Sequence, residues 1–333
     1  YSTEEQADKD LENTETAELF LCFCLFWSDK RQGRNMEKNR LEEMRIEALK
    51  GRKRAKVISA LSFPVYMILF CLLIGLKGET GGIMIMAAAV FSAAASLCTF
   101  LGLKAFGAKD NGAVFEKAFK ETYIRDTVQN IDGFSDIKYS FEEGFSQREL
   151  AESCTAVGGD YEQYESGDML TGLLWERAFR AANVKTGALL VNSAGRRGRE
   201  SLFEGMIISF EGIETNGTVQ IFDKKFPLEM RQWTEGIKTG TADDDFDSRF
   251  DVYAMDPSDV PLILTRERIR KITDFAKAAG ERTAVTFRGG KMYAAVCHRN
   301  LFETDISVPV ESQRDNILKD VDVIKKAGQI RDL

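Results

Sequence analysis

Two uncharged runs dominate the pattern of apolar and polar positions. Val57 to Leu76 (VISALSFPVYMILFCLLIGL) contains no Asp, Glu, Lys, Arg or His, and neither does Gly81 to Leu103. At ~1.5 Å of rise per residue, each run predicts a helix about 30 Å long, which matches the hydrocarbon core of a bilayer. Soluble helices carry an apolar stripe and a polar face. These runs are apolar all round, and burying two of them in a soluble core would take on the order of several hundred residues of covering structure. The pattern therefore predicts a transmembrane hairpin bounded by Val57, Leu76, Ile83 and Leu103, turning at KGETGG. In the second run Ala88, Ser92 and Ser96 recur every fourth position, as do Ala89 and Ala93. Small residues at that spacing let two helices approach closely in lipid, so this face is expected to pack on the first helix. Pro64 is tolerable in a membrane helix.

The flanks set an orientation. KGRKRAK precedes the first run, Lys104 and Lys109 follow the second, and the connecting loop offers only Lys77 beside Glu79. Basic flanks stay in the cytoplasm, so both termini are expected there. Upstream, Met36 to Lys56 reads as a juxtamembrane helix with Leu41, Met44 and Ala48 on one side, leading directly into the membrane. Residues 1–35 form an acidic, polar arm expected to be disordered. It carries the apolar segment Leu19 to Trp27, too short to span a bilayer. No signal peptide is legible.

Residues 104–333 read as one cytoplasmic domain. Val114, Phe115, Ala118, Phe119 and Tyr123 have helical spacing. Ser146 with Glu149 is a capping-box signature opening a short helix. From Tyr164 the character changes to strands. ESGD, Glu165 to Asp168, is a turn signal. ETNG predicts a hairpin between LFEGMIISFEGI and TVQIFDK, and RGGK predicts another between RTAVTF and MYAAVCH. FDVYAMDPSDVPLILT reads as a strand and then a helix start, with Asp256 as cap and Pro257 in the first helical position. Thr265 caps the next helix, whose Ile269, Ile272 and Ala276 face inward and which Gly280 ends. Ile317, Val321 and Ile324 place a last helix. Strands joined by hairpins predict an α+β fold: an antiparallel sheet with flanking helices behind the transmembrane hairpin.

Composition narrows the chemistry. The net charge is −7, against the basic face a nucleic-acid binder carries, so no nucleic acid is expected as partner. Six cysteines include no C-x-x-C zinc pair. The single histidine, His298, neighbours Cys297, but adjacent strand residues point to opposite faces and form no dyad. Asp243, Asp245 and Asp247 alternate as in a calcium loop, yet Ser248 stands where that loop needs Gly and Ala254 where it needs Glu. They read instead as a solvated acidic loop before a strand that buries Phe246 and Phe250. GGDYEQYESGD pairs carboxylates with tyrosines, and acid–base work there depends on a separation that sequence does not supply. No cofactor or metal is expected, and no catalytic residue is assigned. Arg52 and Arg54, with Arg196, Arg197 and Arg199 in GRRGRE, are candidate contacts for anionic lipid heads, each worth ~1 kcal/mol near a membrane surface. A solvated hairpin tip is the plain alternative for GRRGRE.

IKYSFEEGFSQRELAES, YESGDMLTGLLWERAFRAA, LFEGMIISFE, FDSRFDVYAMDPSDVPLILT and VTFRGGKMYAAVCHRNLFE follow one another from Ile137 to Glu303. In this order, behind a two-helix hairpin, they resemble a bacterial membrane family known as domain of unknown function 3137. Phe246, Phe250, Val252, Tyr253 and Leu264 carry the most distinctive part. That family has no assigned activity, so the resemblance implies a topology and a bacterial inner membrane, not a reaction. The expected function is a membrane-anchored module that binds a membrane or cytoplasmic protein, or senses the lipid bilayer surface. The alternative is a membrane-bound hydrolase acting on a lipid or envelope substrate.

Overall fold

The computed structural model describes residues 36–54, 56–70, 72, 82–103, 109–152, 163–191, 197–213, 217–227, 236–280 and 282–331. They fall in two compact units. One runs to Glu116 and includes Ile306–Ser312; the other comprises Lys117–Asp305 and Gln313–Leu333.

In the first unit, helix α1 occupies 36–54 and 56–70, and α2 is Gly82–Leu103. The first part of α1 buries Leu41, Arg45 and Ala48, a stripe at helical steps, while Met44 is only half-buried. Its cover is the segment Ile306–Ser312. Arg45 Nη1 donates to the Ile306 carbonyl at 3.0 Å, and Val310 N donates to Glu42 Oε2 at 3.1 Å.

Further along, α1 meets α2 through hydroxyls. Ser59 Oγ donates to the Ser96 carbonyl at 3.2 Å, and Ser96 Oγ to the Ser59 carbonyl at 2.7 Å. Ser62 Oγ donates to Ser96 Oγ at 3.1 Å, and Tyr66 and Thr99 share a hydrogen bond of 3.0 Å. Ser92 is fully buried, so the expected Ser92–Ser96 face does pack inward, whereas Ala93 is exposed and Ala88's side chain lies outside the description. The large apolar side chains point the other way: Leu61, Val65, Ile68, Met86 and Val90 are each more than 60% exposed. α2 holds no charged residue over its 22 positions, but several of its side chains lie outside the description. Among the described residues, no helix is long and apolar enough to cross a membrane, so the expected transmembrane hairpin is not carried by them.

The second unit is α+β, built on one nine-stranded antiparallel sheet in the order β1-β2-β3-β4-β9-β8-β5-β7-β6. The strands are β1 Phe134–Ser140, β2 Gln163–Leu174, β3 Arg177–Val191, β4 Arg197–Glu211, β5 Val219–Asp223, β6 Ile237–Thr239, β7 Phe250–Ala254, β8 Thr283–Arg288 and β9 Lys291–Cys297. α3 (Lys109–Ala118) is followed in the chain by a π turn (Phe119–Ile124) and α4 (Arg125–Gln129). Short helices α5 (Gln147–Glu152), α6 (Asp244–Arg249) and α7 (Asp259–Ile263) sit between strands. The long helices α8 (Arg266–Ala279) and α9 (Arg314–Arg331) pack on each other and cover one sheet face. There the Arg268 guanidinium lies 5.4 Å from the Phe287 ring and that of Arg331 5.5 Å from Phe210. The opposite face carries Ala182, Val184, Ile207, Ala284 and Ala295, packed with Phe145, Leu150 and Phe226.

Several local expectations hold. Thr265 Oγ1 accepts from Arg268 N at 3.3 Å, and Gly280 closes α8 in the left-handed region at φ 87°. Gly289 and Gly290, at φ 57° and 76°, turn β8 into β9. Others are corrected. ETNG does not make a hairpin: β4 pairs with β9 and β5 with β8 and β7, because the β8–β9 hairpin inserts between them. Gly217 serves a different need there, since a Cβ on it would overlap the Asp259 carboxylate. ESGD is not a turn but a bulge inside β2, with a register shift between Gly167 and Leu170. The true β2–β3 turn is Trp175-Glu176, both left-handed at φ 50° and 64°. The helix after β7 starts two residues late: Asp256 Oδ1 accepts from Ser258 N at 2.9 Å, and α7 opens at Asp259. DDDFDSR is a helix rather than a loop, with Asp243 accepting from Phe246 N at 2.9 Å. The expected burial of Phe246 and Phe250 holds; their rings stack at 4.5 Å.

Candidate functional site

Among the described residues, a half-buried polar cluster gathers on Asp168. Its position follows from the β2 bulge, which throws this residue to φ 59° and lets its N–H donate to the Phe141 carbonyl at 3.2 Å. The carboxylate meets three donors. Lys120 Nζ lies 2.9 Å from Oδ2, Asn183 Nδ2 lies 2.8 Å from Oδ2, and the Tyr139 hydroxyl donates to Oδ1. Lys120 comes from the π turn, Tyr139 from β1 and Asn183 from β3. Its ammonium also stands 5.3 Å from the Phe141 ring. Asn183 spends its remaining capacity on Leu301, donating to its carbonyl at 3.2 Å and accepting from its N–H. Lys120 is 4% exposed. A lysine so placed is tolerated only with a partner charge and hydrogen bonds. A carboxylate held by three donors from three elements fixes their relative geometry.

Beside this centre, Ser166 Oγ donates to the Asn183 carbonyl at 2.9 Å and accepts from Phe145 N at 3.0 Å. Tyr164 donates to the Phe145 carbonyl at 2.8 Å, and burial pushes its phenol up to about 12. Arg180 forks onto Glu149 at 2.6 and 3.2 Å and lies over the Phe145 ring at 4.7 Å. Ser146 caps α5 as expected, donor Glu149 N at 3.1 Å, while the Glu149 carboxylate goes to Arg180.

A second centre joins the loop after β9 to α9. Arg299 donates through Nε and Nη2 to Asp320 Oδ1 at 3.1 and 2.9 Å and through Nη1 to the Ala278 carbonyl at 3.1 Å. Phe302 N donates to Asp320 Oδ2 at 2.8 Å. Burial nonetheless raises the Asp320 carboxyl above its usual range, the donors working against it. An open groove of about 420 Å³ borders this pair, lined by Ala278, Arg299, Asp315, Leu318, Lys319 and Asp322. Its charges alternate in sign.

The other candidates separate. Cys297 is buried, and desolvation pushes its thiol up. His298 is exposed at φ 60°, beyond the strand end, so the two form no dyad. Asp247 accepts from Thr241 N at 2.8 Å and from its hydroxyl at 2.9 Å, and Asp243 caps α6, so the acidic run organises its own backbone. Among the described residues no group of three or more His, Cys, Asp or Glu could hold a metal ion. Arg52 and Arg54 are exposed on α1, and Val57 is 56% exposed. Arg197 and Arg199 lie on β4 and Ile83 and Leu103 on α2, with their side chains outside the description; Leu76 and Arg196 lie outside the described residues.

Sequence reasoning singled out the stretch containing Asp168 but missed Lys120, Tyr139 and Asn183. The apolar spacing carried no signal for Lys120, because Phe115, Phe119 and Tyr123 keep the four-residue step of an ordinary α-helix.

Comparison with curated proteins and with solved structures returns no match. The earlier resembling stretches, before Ser201, lie outside the segment a family model covers. Residues 201–332, from β4 through α9, match the model of the family described as Protein of unknown function (DUF3137).

Proposed function

We propose that this protein is a membrane-anchored module whose α+β domain works by binding, to a protein partner or to the membrane surface, on the cytoplasmic side. The observation that carries the reading is the inverted arrangement of α1 and α2. Their hydroxyls (Ser59, Ser62, Tyr66, Ser96 and Thr99) face one another, while Leu61, Val65, Ile68, Met86 and Val90 face outward. Water favours the opposite arrangement. Lipid favours this one, because polar side chains there find partners on the neighbouring helix and apolar ones meet acyl chains. The exposed Arg52 and Arg54 stand before the apolar part of α1, where basic residues retain a segment in the cytoplasm and meet anionic headgroups. A binding role for the domain is supported by its half-buried Asp168 and buried Asp320, whose carboxylates are occupied by donors of the chain itself.

The test is fractionation of cells expressing the full chain, with alkaline extraction of the membranes and labelling of Lys77 by an impermeant amine reagent. Retention in the extracted membrane and labelling of Lys77 on intact cells are the expected results. Release into the soluble fraction without detergent overturns the anchored reading. Lys77 labelled only after lysis overturns the orientation.

A further inference from the structure

We propose that Lys120, Asp168 and Asn183 form a latch that holds the helical segment Lys117–Gln129 in its π register and couples that register to the loop after β9. Lys120, Asp168, Asn183 and Leu301 all lie in the second unit, so the latch stands whether or not α1 and α2 enter a membrane.

The π turn is the first observation. π geometry is rare and concentrates where a helix has a functional irregularity. Here it spans Phe119–Ile124 and inserts one residue between two α segments. The extra residue keeps Phe119, Ile124 and Val128 on one buried side. It also carries Lys120 inward, to Asp168 Oδ2 at 2.9 Å. Reversion to α geometry rotates Lys120 by about 100° about the helix axis relative to α4. Lys120 then leaves Asp168.

The second observation lies at the other partner. Asp168 is a non-glycine residue in the left-handed region, in a strand bulge. Such backbone is costly and persists only where surrounding contacts over-determine it. Its contacts are the three donors from the π turn, β1 and β3. Two unusual backbone segments thus hold each other through one ion pair.

The third observation gives the latch an output. The same Asn183 amide that donates to Asp168 also clamps Leu301, through both the carbonyl and the N–H of that residue. Leu301 is fully buried and stands between His298 and Phe302, both left-handed at φ 60° and 53°. Loss of Lys120 leaves Asp168 short of a positive charge. Asn183 then tightens on Asp168 at the expense of Leu301, and the loop Cys297–Glu303 loosens. A coupling of this kind is reciprocal, so disturbing Asn183 must loosen the π turn as well.

The experiment is hydrogen exchange of the full chain, read by mass spectrometry, for wild type, Lys120→Met and Asn183→Ala. Lys120→Met is expected to accelerate exchange at least tenfold over residues 119–129 and also over 298–303, with β5 and α8 unchanged. Asn183→Ala is expected to accelerate residues 119–124 as well as 298–303. Acceleration confined to the neighbourhood of each substitution overturns the latch. Uniform acceleration of the sheet, or failure of both variants to fold, also overturns it, since the cluster is then ordinary core support.

Discussion

Gly328 sits inside α9, where helix propensity and tertiary packing predict opposite effects of adding one methyl group. In a helix interior Ala is favoured over Gly by about 1 kcal/mol. At Gly328 a Cβ would lie 2.7 Å from Leu174 Cδ2, 3.2 Å from Trp175 Cζ3 and 3.3 Å from Phe210 Cζ. Leu174 and Phe210 are fully buried, so neither withdraws into open space. Overpacking of this kind costs typically 1–3 kcal/mol, roughly. Packing therefore wins, and Gly328→Ala is expected to destabilise by about 1 kcal/mol after the propensity gain. Gly112→Ala is the matched control. It lies in α3, and its added Cβ meets only the flexible Arg52 Nη2, at 3.4 Å. It is expected to gain up to about 1 kcal/mol. Urea unfolding followed by circular dichroism separates the two. With a slope of roughly 1–3 kcal/mol per molar urea, the midpoints move in opposite directions by about 0.3–1 M. An upward shift for Gly328→Ala refutes the reasoning, because Leu174, Trp175 and Phe210 then do not lie against α9.

Three further outcomes follow from single residues. Glu176→Gly relieves a left-handed residue that costs roughly 1–2 kcal/mol, against a smaller entropic loss, so thermal unfolding should show a gain of up to about 1 kcal/mol. Asp243→Ala removes the cap of α6 and should lower stability by about 1 kcal/mol, while Asp244→Ala, an exposed neighbour without that bond, should leave the unfolding midpoint nearly unchanged. Tyr164 has its phenol raised from 10.0 to about 12 by burial. Above the unfolded value the unfolded chain loses this proton first, so stability falls as pH rises from about 10 through about 12. Tyr164→Phe should flatten that stretch of the stability–pH curve, and an unchanged slope would show that Tyr164 is not buried as described.

Local chemistry was legible wherever one or two side chains decide the backbone. The Thr265 cap, the Gly280 stop and the Gly289-Gly290 turn are examples, and so is the inward stripe of α8, with Ile269, Ile272 and Ala276 buried. The antiparallel α+β character followed from hairpin and strand patterns. Three features were misread because distant partners overrode the local signal. Asn216-Gly217 has hairpin chemistry, yet the β8–β9 hairpin occupies the place beside β4. Glu165 to Asp168 looks like a turn, yet the strand continues through it because Lys120, Tyr139 and Asn183 satisfy Asp168 in a bulge. Trp175-Glu176 carries no turn signal. It turns because Trp175 N donates to the Gly133 carbonyl at 2.8 Å, where a Cβ on Gly133 would lie 2.6 Å from Trp175 Nε1.

The sequence by itself determined the uncharged runs, the helix ends set by their own caps, and the alternation that makes strands. These depend on neighbours within a few positions along the chain. Only the tertiary structure decided the strand order, the π turn and the Asp168 centre. Each depends on side chains tens of residues apart meeting in a water-poor interior, where an unmet hydrogen bond or charge is costly enough to override local preference.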